Sequence, residues 1–113
     1  MSSSHRLEAY RNMWLMVFFD LPTTTKKERK AYTKFRKALI IDGFVMFQYS
    51  VYLRHTPSRE NAEVHIKRVK STLPPMGEVG VLRVTDKQFE QMLLFQGPLP
   101  MPKPPTPQQL ELF

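Results

Sequence analysis

Asp20 is the first residue of this sequence with the makings of a chemical site. It follows the apolar run MWLMVFF (13–19) and precedes Leu21-Pro22. A carboxylate at the end of a strand can bind a hard cation through oxygen. It can equally cap the turn before Pro22, and the sequence alone leaves both readings open. Two-metal phosphodiester chemistry needs several carboxylates converging at one place. The chain has 10 acidic residues, and none lies close to Asp20 in sequence. A second Asp20, met across a dimer axis, is the remaining source. His5, His55 and His65 share no ligand spacing and no cysteine accompanies them, which makes zinc a poor fit. His65 is expected to be a partly exposed helix residue. Ser50 has no neighbouring base in sequence, so nothing supports a nucleophile there.

The second feature is charge. The stretch KKERKAYTKFRK (26–37) holds seven of the 17 basic residues and a single acid, Glu28. On a helix such a run costs i,i+4 repulsion, and that cost is offset by a polyanion. The alternative is a merely solvated face. Lys26, Lys27, Lys30, Lys34 and Lys37 should lie opposite the apolar positions Ala31, Tyr32, Phe35, Ala38 and Leu39; Arg29 and Arg36 belong to the same run. Arg54, Arg59, Lys67, Arg68 and Lys70 add a second basic region. Side chains of this kind hold phosphates and read shape, not base sequence. The net charge of +7 agrees with a polyanionic partner. GFVMF (43–47) partly matches an RNA-stacking motif, but core packing accounts for Phe44 and Phe47 better.

These residues need elements to hold them. The run 13–19 reads as a buried central strand. Thr25 and Glu28 have capping-box spacing, so a helix starts there, and Gly43 stops it. FVMFQYSVYLR (44–54) is too long for one ordinary strand and splits near 48–50 into two antiparallel strands. A second helix follows, with Thr56 as its expected cap, Pro57 at its first position and Ala62, Ile66, Val69 and Leu73 as its apolar stripe, and Pro74-Pro75 ends it. EVGVLRVT (78–85) is a strand, DKQFEQM (86–92) a helical turn, and residues 92–96 a last short strand. The order is strand, helix, strand, strand, helix, strand: an α+β, ferredoxin-like βαββαβ sheet with both helices on one face. The sheet's other face, rich in Met, Phe and Tyr, should not stay wet, and a homodimer packed sheet to sheet covers it. The organisation expected is a flexible segment over 1–12, a ferredoxin-like domain over 13–97 and a proline-rich tail over 98–113.

The segment MSSSHRLEAYRN (1–12) has no apolar core of a signal peptide. The longest apolar run, seven residues, is too short to span a bilayer. A cytoplasmic protein is expected. The tail PLPMPKPPTPQQLELF (98–113) carries six of the ten prolines and ends in an apolar tip. In polyproline II form the stretch 97–108 reaches about 35 Å. Its tip has two readings. Leu110, Leu112 and Phe113 can enter a pocket of a partner enzyme or add a strand to it. Alternatively, Gln109, Leu110, Leu112 and Phe113 match the Q-L-x-L-F pentapeptide by which bacterial proteins bind the replication sliding clamp.

MVFFDLP (16–22), then ERKAYTKFRKALIIDGFVMFQYSVY (28–52), then VLRVTDKQFEQMLLFQG (81–97) together resemble CRISPR-associated protein 2, in the form found beside type II effectors. The resemblance covers about Trp14 to Gly97. It implies a ferredoxin-like homodimer whose last strand is exchanged onto the partner's sheet. It also implies a DNA-binding scaffold for spacer acquisition, held between dimers of the CRISPR integrase with duplex DNA on the basic helix. The family is also known as a metal-dependent endoribonuclease, in some members a DNA nuclease. Its metal-binding aspartate matches Asp20, with magnesium as the implied ion. A toxin-like RNA-cutting relative of the same fold is a further alternative.

Overall fold

The computed structural model describes residues 12–104 of the 113-residue chain. Four strands form one antiparallel sheet: β1 (Met13–Asp20), β2 (Val45–Gln48), β3 (Val51–Thr56) and β4 (Glu78–Thr85). Their order is β2-β3-β1-β4. Helices α1 (Lys26–Ile41) and α2 (Arg59–Ser71) cross over between them. This is the expected βαββαβ sheet. A single turn of helix, α3 (Asp86–Glu90), and a small hairpin, β5 (Phe95–Gln96) with β6 (Leu99–Pro100), follow.

β1 is central and paired on both sides, so its two-residue period divides the molecule. Met13, Leu15, Val17 and Phe19 point to one face and pack with Phe35 and Leu39 of α1 and Ala62, Ile66 and Val69 of α2. Trp14, Met16, Phe18 and Asp20 alternate with them and point to the other face. There, Trp14 stacks on Phe89 of α3, with ring centroids 4.1 Å apart. Leu53, Met16, Phe47, Val84 and Met92 join this second cluster. Beyond α3 the face is open: Phe18 is 46% exposed, Leu82 47% and Val45 60%.

The ends of α1 follow from its sequence. Thr25 and Glu28 close a reciprocal capping box: the Glu28 N–H donates to Thr25 Oγ1 at 3.1 Å, and the Thr25 N–H to Glu28 Oε1 at 2.7 Å. At the other end Gly43 takes φ +90°. Its N–H donates to Ile40 O, while that of Phe44 donates to Leu39 O. This Schellman arrangement needs a left-handed residue, which glycine adopts without strain. The β2–β3 turn forms without glycine because Ser50 itself adopts φ +64°.

Three local expectations are corrected. Ser58, not Thr56, caps α2, accepting from the Asn61 N–H at 3.0 Å. Thr56 ends β3, fully buried, and its hydroxyl donates to Met13 O at 2.8 Å. A strand position that must satisfy a buried carbonyl outweighs the cap. Leu73, expected in the apolar stripe of α2, lies beyond the helix and is half exposed. The last strand is only Phe95–Gln96, and within one chain it pairs with Leu99–Pro100 rather than with the main sheet. The proposed flexible segment up to residue 11 and the tail beyond 104 lie outside the described residues. Among the described residues no helix is long and apolar enough to cross a membrane.

Gly77 (φ +92°) turns the chain into β4 against the end of β1. A Cβ there would sit 2.8 Å from Asp20 O and 3.0 Å from Leu21 Cα. Both are backbone atoms that cannot swing aside. Gly77→Ala should therefore destabilise the fold by about 1–3 kcal/mol, read as a lowered midpoint in thermal unfolding.

Candidate nucleic-acid interface

α1 buries Phe35 and Leu39 and so turns the opposite side outward. That side carries Lys26, Arg29, Lys30, Lys34 and Lys37, which line a shallow groove together with Thr33, Ala38 and Ile41. Sixteen residues at 1.5 Å each make a rod of about 24 Å, and the cations run along it. Lys26, Lys30, Lys34 and Lys37 face solvent. Among the described residues none of the four has a carboxylate partner. Glu28 is occupied by the cap, and the Thr25 N–H holds its carboxyl below the usual range.

The remaining members of the run divide. Arg29 Nη1 donates to Thr24 O at 2.7 Å and Thr23 O at 3.2 Å, tying down the loop before the helix. Arg36 Nε donates to Tyr52 Oη at 2.7 Å, so it also braces the core. Lys27 lies off the stripe, beside a cleft formed by Leu21, Pro22, Tyr32, Pro74, Pro75 and Met76. The second basic region is not a single patch. Arg54 is half buried, with its guanidinium packed over Gly43. Arg68 is paired with Asp42 at 2.7 Å. Arg59, Lys67 and Lys70 remain exposed.

Asp20 stands exposed at the end of β1, on the face away from the helices. The register places Glu78 of β4 directly across from it. Directly opposed residues share a face, with Cβ atoms about 5 Å apart, and like charges there are unfavourable. Sequence distance hid this neighbour. In a βαββαβ sheet the last strand pairs antiparallel with the first, so the start of β4 had to face the end of β1. No group of three or more His, Asp or Glu able to hold a metal occurs among the described residues. The pair fits magnesium in its sparse form, with one or two carboxylates and the remaining positions left to water and substrate phosphate. Gln109, Leu110, Leu112 and Phe113, the expected partner-binding tip, lie outside the described residues.

His65 is buried, not partly exposed. Its Nδ1–H donates to Asp42 Oδ2 at 2.7 Å, while Arg68 donates to Asp42 Oδ1. Asp42 caps the C-terminus of α1, so this cluster bolts α1 to α2. His55 makes a second such bridge, to Asp86 at 3.0 Å, which holds α3. Neither bridge was visible in spacing, because each joins residues more than twenty positions apart.

The family described as CRISPR associated protein Cas2 matches this chain over residues 13–92. The chain belongs to that family. A protein of Flavobacterium psychrophilum named CRISPR-associated endoribonuclease Cas2 is 56% identical over 108 residues, covering 96% of this chain and 94% of the relative. One from Parvibaculum lavamentivorans with the same name is 52% identical over 101 residues, covering 89% of this chain and all of the relative. A third, from Paracidovorax avenae, is 45% identical over 107 residues, covering 95% and 99%. The Cas2 resemblance, the mixed α+β fold and a place in a CRISPR system therefore hold.

Burial pushes the Asp42 carboxyl up, but the hydrogen bonds from Arg68 and His65 outweigh it and hold it below the ordinary value. A carboxylate with a depressed folded pKa adds stability that is present above its unfolded value and lost as pH falls through the folded value. Asp42→Asn should therefore melt below the parent at neutral pH. The gap should close once the pH drops below the usual aspartate range, which thermal melts across pH 2–7 can check.

Proposed function

We propose that this chain acts on nucleic acid in CRISPR defence, as a cytoplasmic homodimer whose α1 stripes hold phosphates. The observation that supports this most is the row of solvent-facing Lys26, Lys30, Lys34 and Lys37, with no carboxylate facing them among the described residues. The open sheet face around Phe18, Val45 and Leu82 supports the dimer, because apolar area of this kind favours burial against a second copy. Exchange of the last strand between protomers belongs to the same proposal.

Two activities suit such a dimer. The printed names of the relatives favour the first, a magnesium-dependent endoribonuclease. In it Asp20, paired across the dimer axis, is the metal-binding and catalytic residue. Glu78 adds negative potential beside it, and the α1 stripe retains the strand. The bound ion would supply charge neutralisation at the scissile phosphate. The second activity is a scaffold for spacer acquisition. Here the dimer bridges two integrase dimers and cradles duplex DNA, while the integrase performs the chemistry. The sparse carboxylates at Asp20, set against a long basic stripe, favour this second reading.

One experiment on purified protein with magnesium separates them, using labelled RNA and duplex DNA. If the first reading holds, Asp20→Ala cuts about a hundredfold more slowly while binding persists. Cleavage that is indifferent to Asp20 removes the nuclease assignment. Lys30, Lys34 and Lys37 changed together to Glu should abolish both binding and spacer acquisition in cells, with the dimer intact by light scattering. Normal acquisition by that variant would sink the stripe as a phosphate holder.

A further inference from the structure

We propose that the cleft beside Lys27 is a seat for one unpaired nucleobase of a single-stranded nucleic acid. The cleft lies where the turn after β1 meets the loop into β4. Leu21 and Pro22 come from the first, Pro74, Pro75 and Met76 from the second, and Tyr32 from α1. Its volume is about 290 Å³, at the lower end of the range of about 300–1,000 Å³ usual for small-molecule sites. One base with its sugar is a ligand at the small end of that range.

The chemistry of the lining favours this occupant. The polar groups of Thr25 and Glu28, which also line the cleft, are engaged with each other in the cap of α1. What remains is apolar surface made of proline rings and a phenol, with the ammonium of Lys27 beside it. An apolar peptide would use those walls alone. A nucleotide uses both parts: its flat ring lies against Tyr32 and the prolines, and its phosphate meets Lys27. Lys27 stands within one turn of Lys26 and Lys30 on α1, so a strand held by the stripe carries a phosphate to the cleft. The walls are also fixed in advance. Tyr32 is stacked on Tyr49, with ring centroids 6.5 Å apart, and meets Phe19 edge-on at 5.9 Å. Pro22, Pro74 and Pro75 have locked φ angles, and Gly77 presses the β4 loop against Asp20 O. A preformed site loses little freedom on binding. Stacking rather than edge hydrogen bonds would hold the base, so each of the common bases should be accepted. A base kept paired in a duplex stays in its stack and does not enter. Leu21 directly follows Asp20, so a strand seated here runs past the Asp20–Glu78 pair. The inference rests on the nucleic-acid reading of α1 and is independent of cleavage at Asp20.

The test titrates full-length protein with three labelled probes: oligothymidylate, an abasic strand of the same length and backbone, and a DNA duplex. The parent should bind oligothymidylate about tenfold more tightly than the abasic strand. Ala31→Leu adds bulk to the lining of the cleft and should bring the two strands within about twofold of each other, with abasic and duplex affinities unchanged. Met76→Ala removes a wall residue that is 61% exposed, so it leaves the fold intact; it should weaken oligothymidylate binding by roughly threefold and spare the other two probes. If thermal melting shows Ala31→Leu to be unfolded, Met76→Ala decides alone. Equal binding of base-bearing and abasic strands by the parent overturns the base seat and leaves the α1 stripe standing. Folded variants that keep the parent's preference for bases also overturn it. A parent that binds none of the three probes removes the nucleic-acid reading of α1, and the inference falls with it.

Discussion

The alternation of β1 is the constraint on which the rest of the molecule depends. Paired on both edges, β1 has no freedom to slip. A shift of one residue would send every side chain to the wrong face. Leu15, Val17 and Phe19 thereby fix the seats of Phe35 and Leu39. Seating those two residues decides which side of α1 faces water. The lysine stripe is thus a consequence of core packing, set several residues away from any lysine. The same alternation carries Asp20 to the opposite face, across from Glu78.

Repulsion along α1 is the unfavourable term, and the helix ends balance it. The capping box satisfies two N-terminal donors, an arrangement worth about 1 kcal/mol. At the far end the Gly43 turn and the Asp42–His65–Arg68 bridge tie the helix to α2. No basic residue lies in the last turn of α1 itself; Arg54, packed over Gly43, brings positive charge there from β3. A cation near a helix C-terminus is favourable. The stripe can therefore remain free of internal carboxylates and be neutralised by a ligand instead.

Much of this was legible in the sequence because it is local. Thr25 with Glu28, Gly43, and the apolar run before Asp20 each carry their meaning within a few positions, and each appears as read. The cap of α2 was misplaced because Thr56 and Ser58 are both good caps, and only the pairing of β3 with β1 decides which one is needed elsewhere. His65 was misread because its partner, Asp42, is 23 positions away. Glu78 was missed for the same reason, although the strand order contained the answer. The last strand came out shorter than expected: Met92 packs against the Trp14–Phe89 cluster, and only Phe95–Gln96 pair as a strand. The division of the basic run, with Lys26, Lys30, Lys34 and Lys37 free and Arg29 and Arg36 committed, depends on Thr24 and Tyr52. Charge counting could not show it.

The salt dependence of duplex binding tests the phosphate-holding role of α1 most directly. Each phosphate contact contributes close to one unit to the slope of log affinity against log salt. Replacing Lys30, Lys34 and Lys37 with alanine should lower that slope by about two to three units for each stripe engaged, and weaken binding uniformly across sequences. An unchanged slope, with affinity retained, would contradict the assignment and place the nucleic acid elsewhere on the protein.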